Sequence, residues 1–376
     1  MNLLYSMFTD YTLRNVAFGT LLLGLGSGAI GSFMTLRRQS LIGDAIAHAT
    51  LPGVAIAYLL TGSKEPTLLL LGAAIAGVLG IGAITVIIRT TKIDSDGANG
   101  IILSIFFGFG LLLLTYIQKL PKSSQAGLDR FIFGQAATII AKDVWIIAIV
   151  QAIVLLALIL FFKELKSSTF DPNCMTVMGF NQKTIDAIFA VLLVATIVVG
   201  LQTVGVILIS ALLVAPAAAS RQWTNSLKVM VALSSLFSGV SGMIGSLISA
   251  STINLPTGPM IVLVLTIFII ISFLFGAKRG LVIRKFEQIK RHKIFDENRI
   301  LLALSNLEEG HEHSDMYHSV KTISLMVQQQ HGIKRLLKQL TQRGLLLDDH
   351  RGSYALSEIG SEKVNSLVKE GGYYAN

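Results

Sequence analysis

Long apolar runs recur through the first three-quarters of the chain, near 15–36, 45–61, 66–88, 99–118, 144–162, 184–201, 203–220, 228–251 and 257–277. Each is roughly 17–25 residues long, enough for a helix to cross a ~30 Å hydrocarbon layer. The pattern predicts about nine transmembrane helices. The weakest division is at Gln202 and Thr203, because the apolar run from Ile185 to Ala219 is nearly continuous. One crossing more or fewer would move one end of the chain to the other side of the membrane.

Beyond Gly280 the periodicity changes. Ile300, Leu301, Leu304 and Leu307 make one amphipathic helical stripe, Val320, Ile323 and Val327 a second, and Ile333, Leu336, Leu337 and Leu340 a third, which Gly344 stops. Leu345-Leu346-Leu347, a polar turn over 348–352 and Tyr354-Ala355-Leu356 then predict a two-stranded hairpin, followed by a last helix from Ser357. The expected organisation is an all-α polytopic membrane domain over 1–280 and a small C-terminal α+β domain over 281–376.

Composition agrees with two regions in two solvents. Hydrophobic residues make up 52% of the chain and charged residues 14%, and mean hydropathy is +0.67, more apolar than one water-soluble core requires. Sixteen of the 31 basic and 12 of the 22 acidic residues lie from Lys278 onward. In the first region charges fall between the apolar runs. Arg37 and Arg38, Arg89 and Lys92, Lys163, Lys166 and Lys183, Arg221 and Lys228, then Lys278 and Arg279 recur on alternate sides and mark the cytoplasmic face. An odd number of crossings places the N-terminus outside and the C-terminal domain inside. The 119–143 loop, with Lys119, Lys122, Arg130 and Lys142, breaks this bias. Its Phe131-Ile132-Phe133-Gly134 stretch reads either as a surface helix or as a re-entrant one. Met1–Asn15 lacks a basic stretch followed by a small-residue cleavage site, so the first apolar run is expected to stay in the membrane.

Candidate chemistry is sparse. Cys174 is the only cysteine, so a metal site would rest on histidine and carboxylates. Asp44 and His48, four residues apart at the start of the second run, lie on one helix face. His48 is the only histidine in the membrane region. Ionisable groups at bilayer depth usually face a pathway or a partner, and a carboxylate with an imidazole suits Mn2+, Fe2+ or Zn2+. The competing reading makes Asp44 a helix cap and His48 an interhelical hydrogen-bonding group. Two ligands are too few for a strong site, so further ligands must come from a second copy, other spans or water.

Other features serve the bundle or its attachments. Gly239, Gly242 and Gly245 form a small-residue stripe suited to tight helix packing. Pro52, Pro216, Pro256 and Pro259 break or kink helices, either lining a conduit or simply adjusting packing. Asp171, Pro172 and Gly179 punctuate a short helix between two spans, with Asp as cap, Pro at the first position and Gly at the end. No Gly-x-x-x-x-Gly-Lys-Ser/Thr run occurs, so ATP is not held by a P-loop here.

At Arg38 to Gly53, at Phe170-Asp171-Pro172, at Gln202 to Val206 and Leu213 to Ala218, and at Asn254 to Gly258, the sequence resembles the permease family of bacterial manganese, zinc and iron ABC importers. The resemblance implies a homodimeric permease of the cell membrane with no tightly bound cofactor. It implies two cytoplasmic ATPase subunits and an extracellular or periplasmic metal-binding protein as partners. It further implies that Asp44 and His48 gate the metal and that Asp171, Pro172, Met175 and Gly179 contact the ATPase.

The tail resembles a winged-helix domain, similar to the DNA-binding part of diphtheria-toxin-type metalloregulators. Lys334, Arg335, Lys338 and Arg343 make its third helix basic, suiting either phosphate contacts or simple solvation. A regulatory or dimerising role is preferred to binding nucleic acid. His311, His313, Asp315 and His318 form either a cytoplasmic metal sensor or a solvated polar loop. Two other functions compete with the ATP-driven permease: an ion-coupled secondary transporter, and a membrane-tethered metal-responsive regulator.

Overall fold

The computed structural model describes residues 10–63, 65–119, 139–251, 255–309, 317–327, 333–349 and 351–369. The Phe131–Gly134 stretch lies outside these residues. The chain separates into two compact units, the first ending at Ile283 and the second beginning at Arg284.

The first unit is helical: α1 (Tyr11–Leu36), α2 (Ile42–Thr61), α3 (Pro66–Thr90), α4 (Ser95–Gln118), α5 (Ala141–Leu160), α6 (Phe162–Phe170), α7 (Pro172–Val177), α8 (Gln182–Ser220), α9 (Leu227–Ser251) and α10 (Thr257–Phe275). Helix starts follow local chemistry. Asp10 caps α1 by accepting from the Thr12 and Leu13 amides, Asp94 caps α4 by accepting from Gly97, and Pro66 opens α3.

Helix α1 is the most enclosed span, while α4, α5 and α10 leave most of their surface exposed, as lipid-facing helices do. Leu23, Ile30, Phe33 and Met34 of α1 are fully buried. Association within lipid depends on close backbone approach and interhelical hydrogen bonds. At Gly24 a side-chain carbon would sit 2.6 Å from the Gly239 Cα of α9, so Gly24 does not tolerate a larger residue. The Ser234 hydroxyl donates to the Gly28 carbonyl at 2.7 Å, and the Ser27 and Ser238 hydroxyls meet at 3.3 Å.

About nine spans were expected, and the structure differs in the length of one of those segments. Among the described residues eight helices are long and apolar enough to cross a membrane, and Leu208–Ser220 is a shorter apolar helix. The difference lies at the uncertain division. Helix α8 reverses at Gly205, whose φ of 83° and ψ of 170° are non-helical. Before the break, Gln202 Nε2 reaches Asp143 Oδ1 at the start of α5, 3.4 Å away. After it, the chain runs back until the Gln222 carbonyl accepts from the Lys278 and Arg279 amides, just beyond α10.

The second unit contains α11 (Leu281–Glu309), β1 (His318–Ser319), α12 (Val320–Met326), α13 (Ile333–Gln342), β2 (Leu346–Asp348), β3 (Ser353–Leu356) and α14 (Glu358–Lys369). Its core gathers Ile300, Leu304, Ile323, Leu337, Leu340 and Leu346. The expected hairpin is β2–β3, antiparallel with Leu347 opposite Ala355. A third short strand, β1, pairs with β3 through His318 opposite Tyr354, giving the order β1-β3-β2. In the turn, Asp349 Oδ1 accepts from the Ser353 and Arg351 amides, and this holds its carboxyl below the usual carboxylate range.

Gly205→Ala puts a side chain into a backbone region essentially restricted to glycine, a strain of about 1–3 kcal/mol. The variant is expected to melt several degrees below the parent in detergent, whereas Gly82→Ala, with open space around its Cα, is expected to melt unchanged.

Candidate metal pathway and motor-docking elbow

Helix α2 begins at Ile42 with Leu41 in the cap position, so Asp44 lies in the first turn and does not cap. The partial positive charge of that helix end favours a carboxylate there. One turn on, His48 Nε2 is 3.7 Å from Asp44 Oδ1. That is too long for a hydrogen bond. It is close to the roughly 3–3.6 Å that separates two ligand atoms held about 2.1 Å from one ion. The imidazole is 20% exposed and the carboxylate 40%, so Asp44 is the more open of the two.

The supports of the pair come from other helices. The His48 ring sits edge-on to Phe107 of α4 with centroids 4.6 Å apart. Its Nδ1 is buried and has no hydrogen-bond partner among the described residues. Ser210, on the returning half of α8, donates its hydroxyl to Asp44 Oδ1 at 3.1 Å. No motif or periodicity points to Ser210, because its proximity depends on the reversal at Gly205. Among the described residues no three His, Cys, Asp or Glu side chains gather around one point.

The short helix expected near 171–179 is α7. Asp171 caps it by accepting from the Cys174 amide at 2.9 Å, Pro172 occupies its first position, and Gly179 ends it at φ 83°. Met175, expected among the contact residues, has no accessible surface. It anchors the elbow to the bundle, and its side chain is not available to a partner. Val177 and Met178 are 88% and 67% exposed and form the outward face.

An arginine at the end of the helix before the Asp44–His48 pair ties α6 to α8. Arg37 ends α1, and its Nη1 pairs with Asp186 Oδ1 of α8 at 2.9 Å. Its Nη2 donates to Ser168 Oγ and its Nε to Thr169 Oγ1 on α6, and its guanidinium lies 4.4 Å from the Phe189 ring centre. Burial lowers its pKa, with the Asp186 charge opposing the shift.

In the second unit, His318 is buried in β1, while His311, His313 and Asp315 lie outside the described residues. Lys334, Arg335 and Lys338 are exposed on α13, opposite buried Ile333, Leu337 and Leu340. Arg343 Nη1 pairs with Glu297 Oε2 at 3.0 Å.

The ABC 3 transport family matches residues 9–276, which include the Asp44–His48 pair, the elbow and the reversal. The chain belongs to this family. The zinc transport system membrane protein TroC of Treponema pallidum (strain Nichols) is 55% identical over 280 residues, 74% of this chain and 94% of that protein. The manganese transport system membrane protein MntC of Bacillus subtilis (strain 168) is 45% identical over 289 residues, 77% and 66% of the two chains. Among solved structures, PsaBC from Streptococcus pneumoniae in complex with Fab superposes with a TM-score of 0.66 at 34% identity, covering 75% of this chain and 98% of that one. The ABC 3 match ends before the second unit begins.

Removing one partner of a buried ion pair costs roughly 3–5 kcal/mol, and partial exposure of Asp186 points to the low end. Arg37→Gln is expected to destabilise the ABC 3 permease by about 3 kcal/mol in mixed-micelle denaturation. Adding Asp186→Asn to it should change little further, because the pair is already broken.

Proposed function

We propose that this ABC 3 chain is the membrane-spanning permease subunit of an ATP-driven importer of divalent transition-metal ions, Mn2+, Zn2+ or Fe2+. The carrying observation is Asp44 and His48, at chelating separation on one helix face within the family-matched region. The names of TroC and MntC, a zinc and a manganese transport protein, support a transition-metal cargo.

One protomer supplies a carboxylate, an imidazole and a serine hydroxyl. The permease works as a homodimer, in which two copies bring two carboxylates and two imidazoles to one ion. Asp44 contributes charge to offset the water that the cation sheds. His48 contributes a nitrogen donor that favours transition metals over Ca2+ and Mg2+, which prefer all-oxygen shells. With Phe107 against its ring and no partner on Nδ1, the imidazole is positioned by packing.

ATP is hydrolysed by a separate cytoplasmic subunit that docks on Val177 and Met178, with Asp171, Pro172 and Gly179 shaping the elbow and Met175 anchoring it. An extracellular or periplasmic binding protein delivers the ion. The Lys/Arg-rich ends at Arg37, Arg89 and Lys183 face the cytoplasm. Leu208–Ser220 completes a ninth traverse, so the N-terminus lies outside and the tail inside. The tail is winged-helix-like and has a regulatory or dimerising role.

Asp44→Asn and His48→Ala are each expected to lower uptake of radioactive manganese or zinc on the order of 10- to 100-fold at normal expression. Undiminished uptake by both variants would remove the chemical basis of the reading. Uptake that survives loss of the ATPase and collapses with an uncoupler would assign the same pair to an ion-coupled carrier. Val177→Asp with Met178→Asp should abolish co-purification of the ATPase, since loss of an interface hot spot costs about 2 kcal/mol or more. The melting temperature should be unaffected.

A further inference from the structure

A chamber of about 710 Å3 opens between α3, α6 and the first half of α8, at the end of the bundle that carries Arg37. Its size falls within the roughly 300–1,000 Å3 of ligand sites. The chamber has two chemically distinct parts. Deeper along the spans its wall is aliphatic, with Val78 and Ile81 of α3 facing Val194 of α8. At its outer end stand three cations, Arg37, Arg89 and Lys183, and one anion, Asp186. Arg37 and Asp186 neutralise each other at 2.9 Å. Arg89 and Lys183 are exposed, and neither forms an ion pair with another described residue. Among the described residues, the mouth therefore carries two positive charges without a paired carboxylate above an apolar groove.

We propose that this chamber binds an anionic phospholipid, its phosphate held by Arg89 and Lys183 and one acyl chain laid along the Val78–Val194 groove. Basic pockets between transmembrane helices on the cytoplasmic side have the chemistry to receive anionic lipid headgroups. The groove communicates with the bilayer: Val78 and Val191 are 49% and 55% exposed on helices long enough to span it. A soluble anion would satisfy the cations and leave the aliphatic wall bare. A zwitterionic lipid would fill the wall and leave the charge uncompensated. Only an amphiphile with net negative charge matches both parts. The bound lipid would lie against Thr169 and Pro172, beside the docking elbow.

The test uses the full-length chain in nanodiscs of equal phosphatidylglycerol and phosphatidylcholine, with native mass spectrometry reading the lipid retained after release. The parent is expected to retain phosphatidylglycerol in preference to phosphatidylcholine. Arg89→Gln with Lys183→Gln should reduce that retention roughly ten-fold or more, with phosphatidylcholine unchanged. Gly82 lines the chamber with nothing within 4 Å of a side-chain carbon placed there. Gly82→Leu should therefore block retention while leaving the melting temperature in phosphatidylcholine unchanged, which separates occupancy from folding. Three results would overturn the proposal: equal retention of both lipids, displacement of the retained lipid by millimolar inorganic phosphate, or disulfide-linked dimers from Val78→Cys in a Cys174→Ser background. The second would assign the mouth to a soluble anion, and the third would assign the groove to a second copy.

Discussion

A carboxylate placed among apolar helices needs something nearby that makes ionisation tolerable, and the organisation of the transmembrane unit follows from how Asp44 meets that need. The start of α2 offers its dipole, Ser210 offers a hydroxyl at 3.1 Å, and His48 stands at 3.7 Å without satisfying the charge by a hydrogen bond. These supports stabilise the carboxylate incompletely. A site that fully satisfied its carboxylate would gain little from a cation. The Asp44 carboxylate is held by Ser210 on one oxygen and remains 40% exposed.

The Ser210 contact exists because α8 turns back at Gly205. The apolar run 185–219 is visible in the sequence, and so is the ambiguity about where it divides. Hydropathy counts residues and is blind to φ and ψ, so Gly205 at φ 83° was not separable from Gly200 earlier in the same run. The Asp44–His48 pair was legible because i, i+4 spacing survives any helix. Ser210 was not legible, since 166 residues separate it from Asp44. The elbow shows the same division. Its punctuation by Asp171, Pro172 and Gly179 could be read locally. Which of Met175, Val177 and Met178 points outward depends on how α7 seats on the bundle.

In the second unit, helical stripes and turn chemistry placed α12, α13 and the β2–β3 hairpin, because each is specified by neighbours in sequence. Strand β1 was missed: two residues, His318 and Ser319, carry no periodic signal, and their pairing with β3 reaches across more than thirty positions. The basic face of α13 was also legible, but the Glu297 partner that occupies Arg343 lies on another helix. In both units, patterns within one element were readable from the chain, whereas contacts between elements required the fold.

Met175 has a mechanical consequence. A side chain with no accessible surface is gripped on all sides, so the six-residue α7 cannot slide over the bundle without repacking it. A load placed on the exposed Val177 and Met178 would thus be passed to the neighbouring helix ends as displacement instead of being absorbed as play. On the proposed reading, stiffness at so small a part would let a stroke generated outside the bilayer reach a cation within it.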